Sequence, residues 1–475
     1  MNKVLCVDLD GTFIKTDMLY ESFFFCFFRN PLIIFSCIFW LMGGGKALLK
    51  ANLAKRYYFL AENIPTNQSV KDLISQKKAD GYKIYLVSAS YKSIVERFFS
   101  NYSRLFDGFY GTEQDASNLS GHNKADFLNK IFGFGQYEYV GNSSDDLAVW
   151  NNSSKAYCLT NKTNLISKVK VPYEQLKENQ HKSFLKLILK QLRCHQWSKN
   201  ALFAVPVLAS AHILPMVDYL NLCIGIFAFS LIASSVYIIN DIIDLDNDRS
   251  HETKRNRPLA SGNLSLRNGT LILGIILLGG IVLAACISPD FLALTLFYLV
   301  INLLYSVKLK SVLILDTLIL SLLYTYRIFL GCVITNLAVS IWLISLSFFL
   351  FLSLAFIKRY IELYKLNKNN KVQVKGRAYS IADMPIIQIM SVASGFTATL
   401  IFDLYLNDDS IRQNFKNIWL AYSCLPILLY WLCNIFMNAS RGQINYDPVS
   451  YALKNKLSVF LGFLFCCFFW ASVYF

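Results

Sequence analysis

Charged residues are scarce in this sequence. Only 16% of its 475 residues are Asp, Glu, Lys or Arg, whereas about one quarter is usual in a soluble globular domain. The shortage is uneven, because apolar and charged residues mix up to roughly residue 200, and apolar runs of about 17–25 residues follow one another beyond it. Runs of this length suit membrane-spanning helices, which excludes a wholly water-soluble protein.

Three other signatures are missing. The twelve cysteines are scattered, without a CxxC pair or a Cys/His spacing that would indicate zinc, so packing thiols are the simpler interpretation. No secretory signal peptide is visible, because Asp8 and Asp10 interrupt the first apolar run, and we expect a cytoplasmic N-terminus. No nucleic-acid signature is present, and cytoplasmic loops beside anionic lipid headgroups explain the net charge of +15.

The first part of the chain has the pattern of an α/β (Rossmannoid) domain. Short apolar runs typical of buried strands lie at Val4–Val7, Lys83–Val87 and Tyr137–Val140. Polar turns and helical stretches separate them, as a parallel sheet requires. We therefore predict three segments, an α/β domain at 1–165, a polar and basic linker at 166–182, and a membrane domain at 183–475.

One stretch of the α/β domain is unusual. Residues 23–42 are almost wholly apolar but carry Arg29-Asn30-Pro31 at their middle. In a membrane-spanning helix, Arg29 would lie near the bilayer centre, which is energetically expensive. We predict a helical hairpin on the membrane face, and a true membrane span is the alternative.

The second part of the chain carries nine apolar runs that could cross a membrane as helices. They lie at about residues 200–214, 219–240, 271–288, 291–306, 312–334, 337–357, 383–402, 417–437 and 457–474. The loops between them are alternately rich and poor in Lys and Arg, so every basic loop should lie on the cytoplasmic side, with the N-terminal domain. We expect a multi-pass protein of the inner (cytoplasmic) membrane of a bacterium, with its functional sites on the cytoplasmic side.

The second run ends in an array of carboxylates. On one continuous α-helix, Asp241, Asp244 and Asp248 would fall within about 60° of arc and repel one another unless a cation lay among them. Mg²⁺ takes oxygen ligands and completes its shell with substrate phosphates, so the three predict a magnesium site, with Asn240 at its border. A solvated acidic helix end is the alternative, which the helix macrodipole disfavours.

A basic loop follows directly. Lys254, Arg255 and Arg257 precede Pro258–Gly262, and such a loop beside a metal site can bind phosphate oxygens through charge-assisted hydrogen bonds. The positive-inside rule alone would account for part of this charge.

These two motifs together resemble the UbiA superfamily of membrane prenyltransferases. The resemblance rests on NDxxDxxxD at Asn240–Asp248 and on DRxHxxKRxRPLASG, which ends at Gly262, and it extends over about residues 183–475. It implies an all-α bundle of about nine transmembrane helices in which the three aspartates bind Mg²⁺ and act in catalysis on a phosphorylated donor.

Within that superfamily, residues 192–200 resemble the RPxQWxKN motif of the decaprenyl-phosphate phosphoribosyltransferase branch, with Cys194 in place of the proline. That branch joins phosphoribosyl diphosphate to a polyprenyl phosphate. Aromatic prenyltransferases of the superfamily have a second DxxxD motif where this chain reads Lys358–Glu362, and one acidic plus one basic cluster suits two anionic substrates. The resemblance implies that the substrates are bound by Lys199, Asn240, Lys254, Arg255, Arg257, Tyr305, Lys310, Lys358, Arg359 and Glu362.

The segment Asp8–Thr12 reads DLDGT and directly follows the first strand. DxDGT in that position resembles the haloacid dehalogenase (HAD) superfamily, over most of residues 1–160. The resemblance implies a phosphatase in which Asp8 is the nucleophile and Asp10 the general acid/base. It also implies that Ser88 and Lys124 hold the phosphate.

The Mg²⁺ ligands of this domain would be Asp8, Asp10, Asp145 and Asp146. Asn142 stands where the last motif of the family has a metal-binding aspartate. A degenerate domain that is kept for folding or docking is therefore the alternative to an active phosphatase.

We therefore expect Mg²⁺-dependent phosphoribosyl transfer from phosphoribosyl diphosphate to a polyprenyl phosphate, with possible removal of the 5-phosphate by the fused phosphatase domain. The alternatives are prenyl transfer from a polyprenyl diphosphate to an aromatic acceptor, with a structural HAD domain, and a non-enzymatic membrane binder. The intact aspartate array argues against the last.

Overall fold

The computed structural model describes residues 3–113, 118–176, 183–210, 214–368, 378–444 and 447–475. By their contacts, residues 1–192 and 237–274 form one compact unit, and residues 193–236 and 275–475 form a second. The aspartate-rich segment at the end of the second apolar run therefore belongs to the same compact unit as the N-terminal domain.

A parallel sheet forms the centre of the first unit. Its strands are β1 (Val4–Asp8), β2 (Lys83–Tyr91), β3 (Gly108–Thr112), β4 (Glu138–Gly141), β5 (Lys155–Cys158) and β6 (Tyr173–Gln175). Their order is β3-β2-β1-β4-β5-β6, and all neighbouring pairs are parallel. β1 is buried along its whole length because it is central and covered on both faces. Burial on both faces explains the apolar run that the sequence has at Val4–Val7.

Helices connect the strands, as parallel pairing requires. They are α1 (Met18–Arg29), α2 (Ile33–Arg56), α3 (Gln68–Ala79), α4 (Lys92–Asn101), α5 (His122–Phe132), α6 (Leu147–Asn152), α7 (Thr163–Ile166) and α8 (Phe184–Leu192), with 3₁₀ turns at Ala61–Asn63 and Ser144–Asp146. The predicted α/β class is confirmed.

The sheet is larger than the sequence indicated. β1, β2 and β4 correspond to the three predicted strands, whereas β3, β5 and β6 were not predicted. β6 pairs with β5 inside the segment expected to be a linker, so the fold continues past the boundary at 165. The rest of that linker, 177–182, lies outside the described residues.

α1 and α2 form a helical hairpin, as predicted for this stretch. Cys26 of α1 packs against Ile33 and Cys37 of α2. α2 breaks at Gly44 and Gly45, where Gly45 has φ +64° and ψ −157°, a conformation open almost only to glycine. By length and composition alone, α2 is also a candidate membrane span.

The rest of the chain is helical. Its α-helices are α9 (Val205–Ser210), α10 (Met216–Ile243), α11 (Leu245–Ser250), α12 (Leu266–Ile287), α13 (Pro289–Val307), α14 (Leu315–Ile334), α15 (Ile341–Lys368), α16 (Met384–Asn407), α17 (Asp409–Arg412), α18 (Ile418–Tyr422), α19 (Cys424–Ser440), α20 (Pro448–Lys454) and α21 (Lys456–Tyr474). 3₁₀ helices lie at Cys194–Ala204, Lys254–Asn256, Leu309–Ser311 and Ile381–Asp383.

Among the described residues, nine helical segments are long and apolar enough to cross a membrane. Eight correspond to predicted spans, and the ninth is α2. The predicted span at 200–214 is not among these candidates: a 3₁₀ helix and the short α9 occupy its described part, and residues 211–213 lie outside the described ranges. Pro206 has no amide hydrogen for the carbonyl of Leu202, which instead accepts a bond from Val205.

The 3₁₀ helix packs closely on α14 in the second unit. A Cβ atom on Gly331 of α14 would lie 2.2 Å from the carbonyl oxygen of Phe203, so only glycine allows this approach. Phe203 in turn packs edge-on against Phe229 of α10. The RPxQWxKN-like segment is thereby held against the helices that surround it.

Candidate functional site

The aspartate-rich segment is not one regular helix, which corrects the assumption made from the sequence. α10 and α11 meet at Asp244, which has φ −91° and ψ 15°. Helical hydrogen bonds nevertheless continue across it, from the amide of Asp244 to the carbonyl of Asn240 and from the amide of Asp248 to the carbonyl of Asp244. Asp241 and Asp248 therefore remain on the same side of the segment.

Arg257 joins these two carboxylates. Its Nη1 lies 2.9 Å from Oδ1 of Asp241 and 2.5 Å from Oδ2 of Asp248. Both aspartates are buried, and the other oxygen of Asp241 accepts a hydrogen bond of 2.8 Å from Nε2 of Gln191. The predicted acidic site and the predicted basic loop thus meet at one guanidinium.

Three oxygens of this cluster have unused hydrogen-bonding capacity. Oδ1 of Asp248, Oδ1 of Asn240 and Oε1 of Gln191 are buried and accept no hydrogen bond from any described residue. Burial raises the pKa of Asp248, although Arg257 opposes the shift. Carboxylate and amide oxygens without donors are what a hard cation such as Mg²⁺ satisfies, so the residues present fit the predicted metal.

The other predicted residues of this segment lie further out. Lys254 is exposed, with its Nζ 3.8 Å from Oδ1 of Asp248, and Arg255 is exposed without an ion pair among the described residues. Asp244 is half-buried. In the described ranges, no three His, Cys, Asp or Glu side chains are close enough to hold a metal together, so the three-aspartate site stays a prediction.

In the second unit, two predicted phosphate-binding lysines share one carboxylate. Nζ of Lys199 lies 3.1 Å from Oδ2 of Asp447, and Nζ of Lys358 lies 3.4 Å from Oδ1. The two lysines lower the pKa of Asp447 to about 2, against the effect of burial. Sequence analysis missed Asp447, because a single acid in a basic loop has no local pattern that marks it.

Arg359 has a different environment from the one predicted. It is fully buried, with its Nε 2.6 Å from Oδ2 of Asp316 and its Nη1 2.6 Å from Oε2 of Glu362. Its Nη2 donates to the hydroxyl of Tyr305 at 3.4 Å, and the Tyr379 hydroxyl donates to Asp316 at 2.6 Å. Arg359, Glu362 and Tyr305 therefore form an internal network, while Lys310 is half-buried in the turn Leu309–Ser311.

The RPxQWxKN-like segment is held by hydrogen bonds on both sides of Lys199. The indole of Trp197 donates to the hydroxyl of Ser234 at 3.0 Å, and the amide of Asn200 donates to the hydroxyl of Ser230 at 2.8 Å. Nε of Arg327 donates to Oδ1 of Asn200 at 3.1 Å. These bonds give Lys199 a defined position although its backbone is a 3₁₀ helix.

A large apolar cavity lies among the helices of the second unit. Its volume is about 1320 Å³, and its lining includes Leu202, Trp342, Phe351, Phe402, Trp431 and Phe469. Apolar walls of this kind favour a hydrocarbon chain over a polar ligand.

In the first unit, the predicted phosphatase residues meet at the carboxyl ends of β1, β2 and β4. Nζ of Lys124 lies 2.7 Å from Oδ1 of Asp8, and the hydroxyl of Thr12 donates to Oδ2 at 3.2 Å. Burial raises the pKa of Asp8 to about 7, although Lys124 opposes the shift. The lysine thus lies as a cation beside the carboxylate that was predicted to be the nucleophile.

Asp10 accepts hydrogen bonds at both oxygens. The hydroxyls of Ser88 and Ser90 donate to Oδ2 at 3.0 and 2.6 Å, and the amide of Met18 donates to Oδ1 at 2.8 Å. Ser88 lies inside β2 rather than at its end, at an irregularity in the pairing between Val87 and Tyr91. Ser90 was missed by sequence analysis because the strand was expected to end before it.

Of the two acids expected from the last motif, only Asp146 joins this group. It is buried, its Oδ1 lies 3.7 Å from Nζ of Lys124, and its Oδ2 accepts the amides of Asn142 and Ser143. Asp145 is exposed. Asn142 lies over Gly11, where a Cβ atom would be 2.2 Å from its Nδ2.

Comparison with known proteins finds relatives over most of the chain. The chain is 34% identical to the uncharacterized protein y4nM of Sinorhizobium fredii over 97% of this chain and 89% of that protein. It is 26% identical to the decaprenyl-phosphate phosphoribosyltransferase of Mycobacterium tuberculosis over 57% of this chain and 88% of that enzyme. The structure of apo phosphoserine phosphatase superposes with a TM-score of 0.29 at 16% identity, over 40% of this chain and 98% of that one.

The profile of the UbiA prenyltransferase family matches residues 201–474, which is more than half of the chain. The match includes the aspartate-rich segment and the candidate spans of the second part, and it begins directly after the RPxQWxKN-like segment. The chain is a multi-pass membrane transferase, and it belongs to the UbiA prenyltransferase family.

Proposed function

We propose that the membrane part transfers a phosphoribosyl group from phosphoribosyl diphosphate to a polyprenyl phosphate in an Mg²⁺-dependent reaction. The observation that carries the proposal is the buried pair of Asp241 and Asp248, which share Arg257 beside oxygens that lack donors. Similarity to a decaprenyl-phosphate phosphoribosyltransferase over 88% of that enzyme's length supports the choice of substrates.

The acidic cluster is the donor site in this proposal. Asp241, Asp244 and Asp248 would hold Mg²⁺, which when bound would neutralise charge on the departing diphosphate. Arg257 and Lys254 lie beside these carboxylates and supply charge-assisted hydrogen bonds to phosphate oxygens.

The pair of lysines around Asp447 is the anion site. Two ammonium groups and one carboxylate leave one net positive charge, and Lys199 and Asp447 are largely shielded from solvent. A partly buried positive charge attracts an anion strongly because the local dielectric is low. The phosphate of a polyprenyl phosphate would bind there, and its isoprenoid tail would lie in the apolar cavity.

The chemistry requires little proton transfer from the protein. The bond between the anomeric carbon and the diphosphate oxygen breaks, through an oxocarbenium-like state as in glycoside cleavage. An oxygen of the lipid phosphate then bonds to that carbon, and it needs no general base because it is already ionised. The protein's task is to bind the two anions and to exclude water, which would otherwise hydrolyse the donor.

We further propose that the HAD-like domain removes the 5-phosphate from the ribosyl lipid. Asp8 would attack the phosphorus, and the ester oxygen would leave with a proton from Asp10, after which water would release inorganic phosphate from Asp8. Lys124 would balance the charge on the transferred phosphoryl group. Fusion of the two parts in one chain makes the second reaction effectively intramolecular.

A doubly labelled donor tests both steps. Membranes that contain the protein are incubated with polyprenyl phosphate and phosphoribosyl diphosphate that carries ¹⁴C in the ribose and ³²P at the 5-phosphate. We expect ¹⁴C to enter lipid and ³²P to appear as inorganic phosphate. Asp241→Asn should abolish lipid labelling, whereas Asp218→Asn, at the other end of α10, should not.

The phosphatase step has its own readout in the same assay. Asp8→Asn should leave ¹⁴C transfer intact and retain ³²P on the lipid.

Lipid labelling that appears only when a polyprenyl diphosphate and an aromatic acid replace these substrates would establish the aromatic prenyltransferase alternative. Release of ³²P by Asp8→Asn at the rate of the unaltered protein would remove the phosphatase step.

A further inference from the structure

The hairpin of α1 and α2 begins at the phosphatase-like site. The amide of Met18, the first residue of α1, donates to Oδ1 of Asp10, and Asp17 caps the helix by accepting the amide of Leu19. On the returning helix, Nζ of Lys50 donates to the carbonyl of Ala89 at 2.9 Å. Ala89 lies between the two serines that bind Asp10, so the hairpin brings a lysine to the edge of this site.

The glycine break divides α2 into two parts of different character. After the break, Leu49, Leu53 and Ala54 are buried in the first unit. Before it, the side chains of Phe35, Phe39 and Met42 are 68, 72 and 84% exposed. Only the second part of α2 is therefore a conventional packed helix.

The exposed side chains form one continuous stripe. Phe35, Phe39 and Met42 follow the spacing of four and three residues that places side chains on one face of a helix. Ile33 and Cys37 face the other way, against α1. The stripe is thus the outer face of the hairpin, and contiguous apolar surface of this kind marks an interaction site.

The length of this helix and its neighbouring charge suit contact with a bilayer surface better than a full crossing of the membrane. The uninterrupted part of α2, from residue 33 to the break at Gly44, is only about 16 Å long, roughly half of the hydrocarbon thickness of a bilayer. Arg29 lies at the turn of the hairpin, over the ring of Phe25 at 3.9 Å, and would be costly to place at the bilayer centre. The family to which the chain belongs places it in a membrane, so lipid is within reach.

We propose that the apolar stripe of the hairpin enters the surface of the lipid bilayer and thereby presents a phosphomonoester carried by a membrane amphiphile to Asp8. This inference rests on the phosphatase half of the proposed function; it widens the substrate class to phosphomonoesters of membrane amphiphiles and adds how they reach the site. Lys50 would meet a second anionic or polar group of the amphiphile, next to the phosphate that Lys124 and Ser88 hold.

Photo-crosslinking tests the position of the hairpin without any enzymatic reaction. The full-length protein, with p-benzoylphenylalanine in place of Phe39, is irradiated in vesicles of tritiated phosphatidylglycerol. The matched control carries the same group at Phe134, which is 69% exposed but lies in the glycine-flanked loop after α5. We expect lipid adducts at 39 at least tenfold above those at 134; equal or absent labelling at 39 would overturn the proposal.

Two phosphate esters of glycerol test the substrate class. Phosphatidic acid in vesicles and free glycerol 3-phosphate carry the same monoester and differ in their acyl chains. We expect kcat/KM to be at least tenfold higher for phosphatidic acid, and the double substitution Phe35→Asp and Phe39→Asp to reduce that ratio at least tenfold, whereas Phe134→Asp leaves it unchanged. A ratio near one in the unaltered protein would overturn the substrate class. Hydrolysis of neither ester would also overturn the substrate class, while ³²P release from the ribosyl lipid would still decide the phosphatase half and the crosslink would still decide where the hairpin lies.

Discussion

Arg249, the residue after Asp248, forms a two-point ion pair with Glu21 on α1. Its Nη2 lies 2.6 Å from Oε1 and its Nη1 lies 3.1 Å from Oε2, and both side chains are only 2% exposed. The hydroxyl of Thr16 donates to Oε1 as well, at 2.6 Å. The start of the hairpin and the aspartate-rich segment are thus locked together inside one compact unit.

Glu21→Gln should weaken both the fold and the transferase. Removing one partner of a buried ion pair leaves the other charge uncompensated, which costs about 3 kcal/mol. Because Arg249 adjoins Asp248, we also expect lipid phosphoribosylation to fall about tenfold, which corresponds to a loss of about 1.4 kcal/mol. Thermal unfolding in detergent and the ¹⁴C assay measure the two effects.

A double substitution separates charge from packing. Glu21→Gln combined with Arg249→Met removes both charges, so stability should return to within about 1 kcal/mol of the unaltered protein. Glu96→Gln, an exposed acid on α4, serves as the neutral control. If Glu21→Gln left both unfolding temperature and transfer unchanged, the ion pair would have no influence on the transferase site.

The pairing of Asp447 with two lysines should make the stability of the protein sensitive to acid. Its pKa is lowered to about 2 by Lys358 and Lys199, below the value of about 3.9 expected in the unfolded chain. A depressed pKa contributes stability that is present above the unfolded value and lost as pH falls through the folded one, here between about pH 4 and pH 2. The contribution at neutral pH is about 3 kcal/mol.

Asp447→Asn should therefore flatten the pH profile of unfolding. Asparagine still caps α20, so the difference between the two proteins reports the charge rather than the cap. The stability gap should be present at pH 7 and close towards pH 2, whereas Asp409→Asn, an exposed acid on α17, should follow the unaltered protein throughout. Parallel curves for Asp447→Asn and the unaltered protein would contradict the lysine pairing.

Sequence analysis found the strands and helices whose apolar residue pattern indicates burial. β1 is apolar up to Asp8 at its end and was predicted, whereas β3 contains two glycines and β6 is exposed along its length, so neither has a buried-strand pattern. Hydropathy likewise identified eight spans but not the 3₁₀ helix at Cys194–Ala204. A 3₁₀ helix differs from an α-helix in which carbonyl accepts each amide hydrogen bond, and hydropathy carries no information on that choice.

The residues of the candidate site were likewise predicted only in part. Asp241 and Asp248 were placed correctly relative to each other because they are close in sequence and obey helical spacing. Asp447 was not found, because its partner Lys199 is distant in sequence and a pairing of that kind has no periodicity. Arg359 was expected to bind substrate from its charge and its place in the family's motif, and only the fold reveals that two carboxylates already surround it.

Arg359 should behave as a structural residue. Arg359→Lys cannot keep both ion pairs, because lysine lacks the planar fork, and Asp316 would remain buried with a poorer partner. We expect a loss of about 3 kcal/mol in unfolding free energy. Glu362→Gln, at the more exposed end of the network, should lose about 1 kcal/mol or less. A normal unfolding temperature for Arg359→Lys, together with a raised KM for polyprenyl phosphate, would instead make it a substrate ligand.

Arg257 contacts the oxygens of Asp241 and Asp248 that a divalent cation would need in the proposed metal site, so we expect the two to compete. Arg257→Gln should therefore bind Mn²⁺, a spectroscopic substitute for Mg²⁺, about tenfold more tightly in the absence of substrate, which corresponds to about 1.4 kcal/mol. The same change should raise KM for phosphoribosyl diphosphate about tenfold, because a charge-assisted hydrogen bond to phosphate is lost.

The opposite signs of these two effects make the competition measurable. Electron paramagnetic resonance of Mn²⁺ is recorded in an Asp8→Asn background, so that the proposed phosphatase site contributes little binding. Arg255→Gln is the matched control because Arg255 is exposed and two residues away. Arg255→Gln should leave Mn²⁺ affinity unchanged. Weaker Mn²⁺ binding in Arg257→Gln would mean that the guanidinium organises the carboxylates for the metal rather than competing with it, since the two acids would repel each other once it was gone.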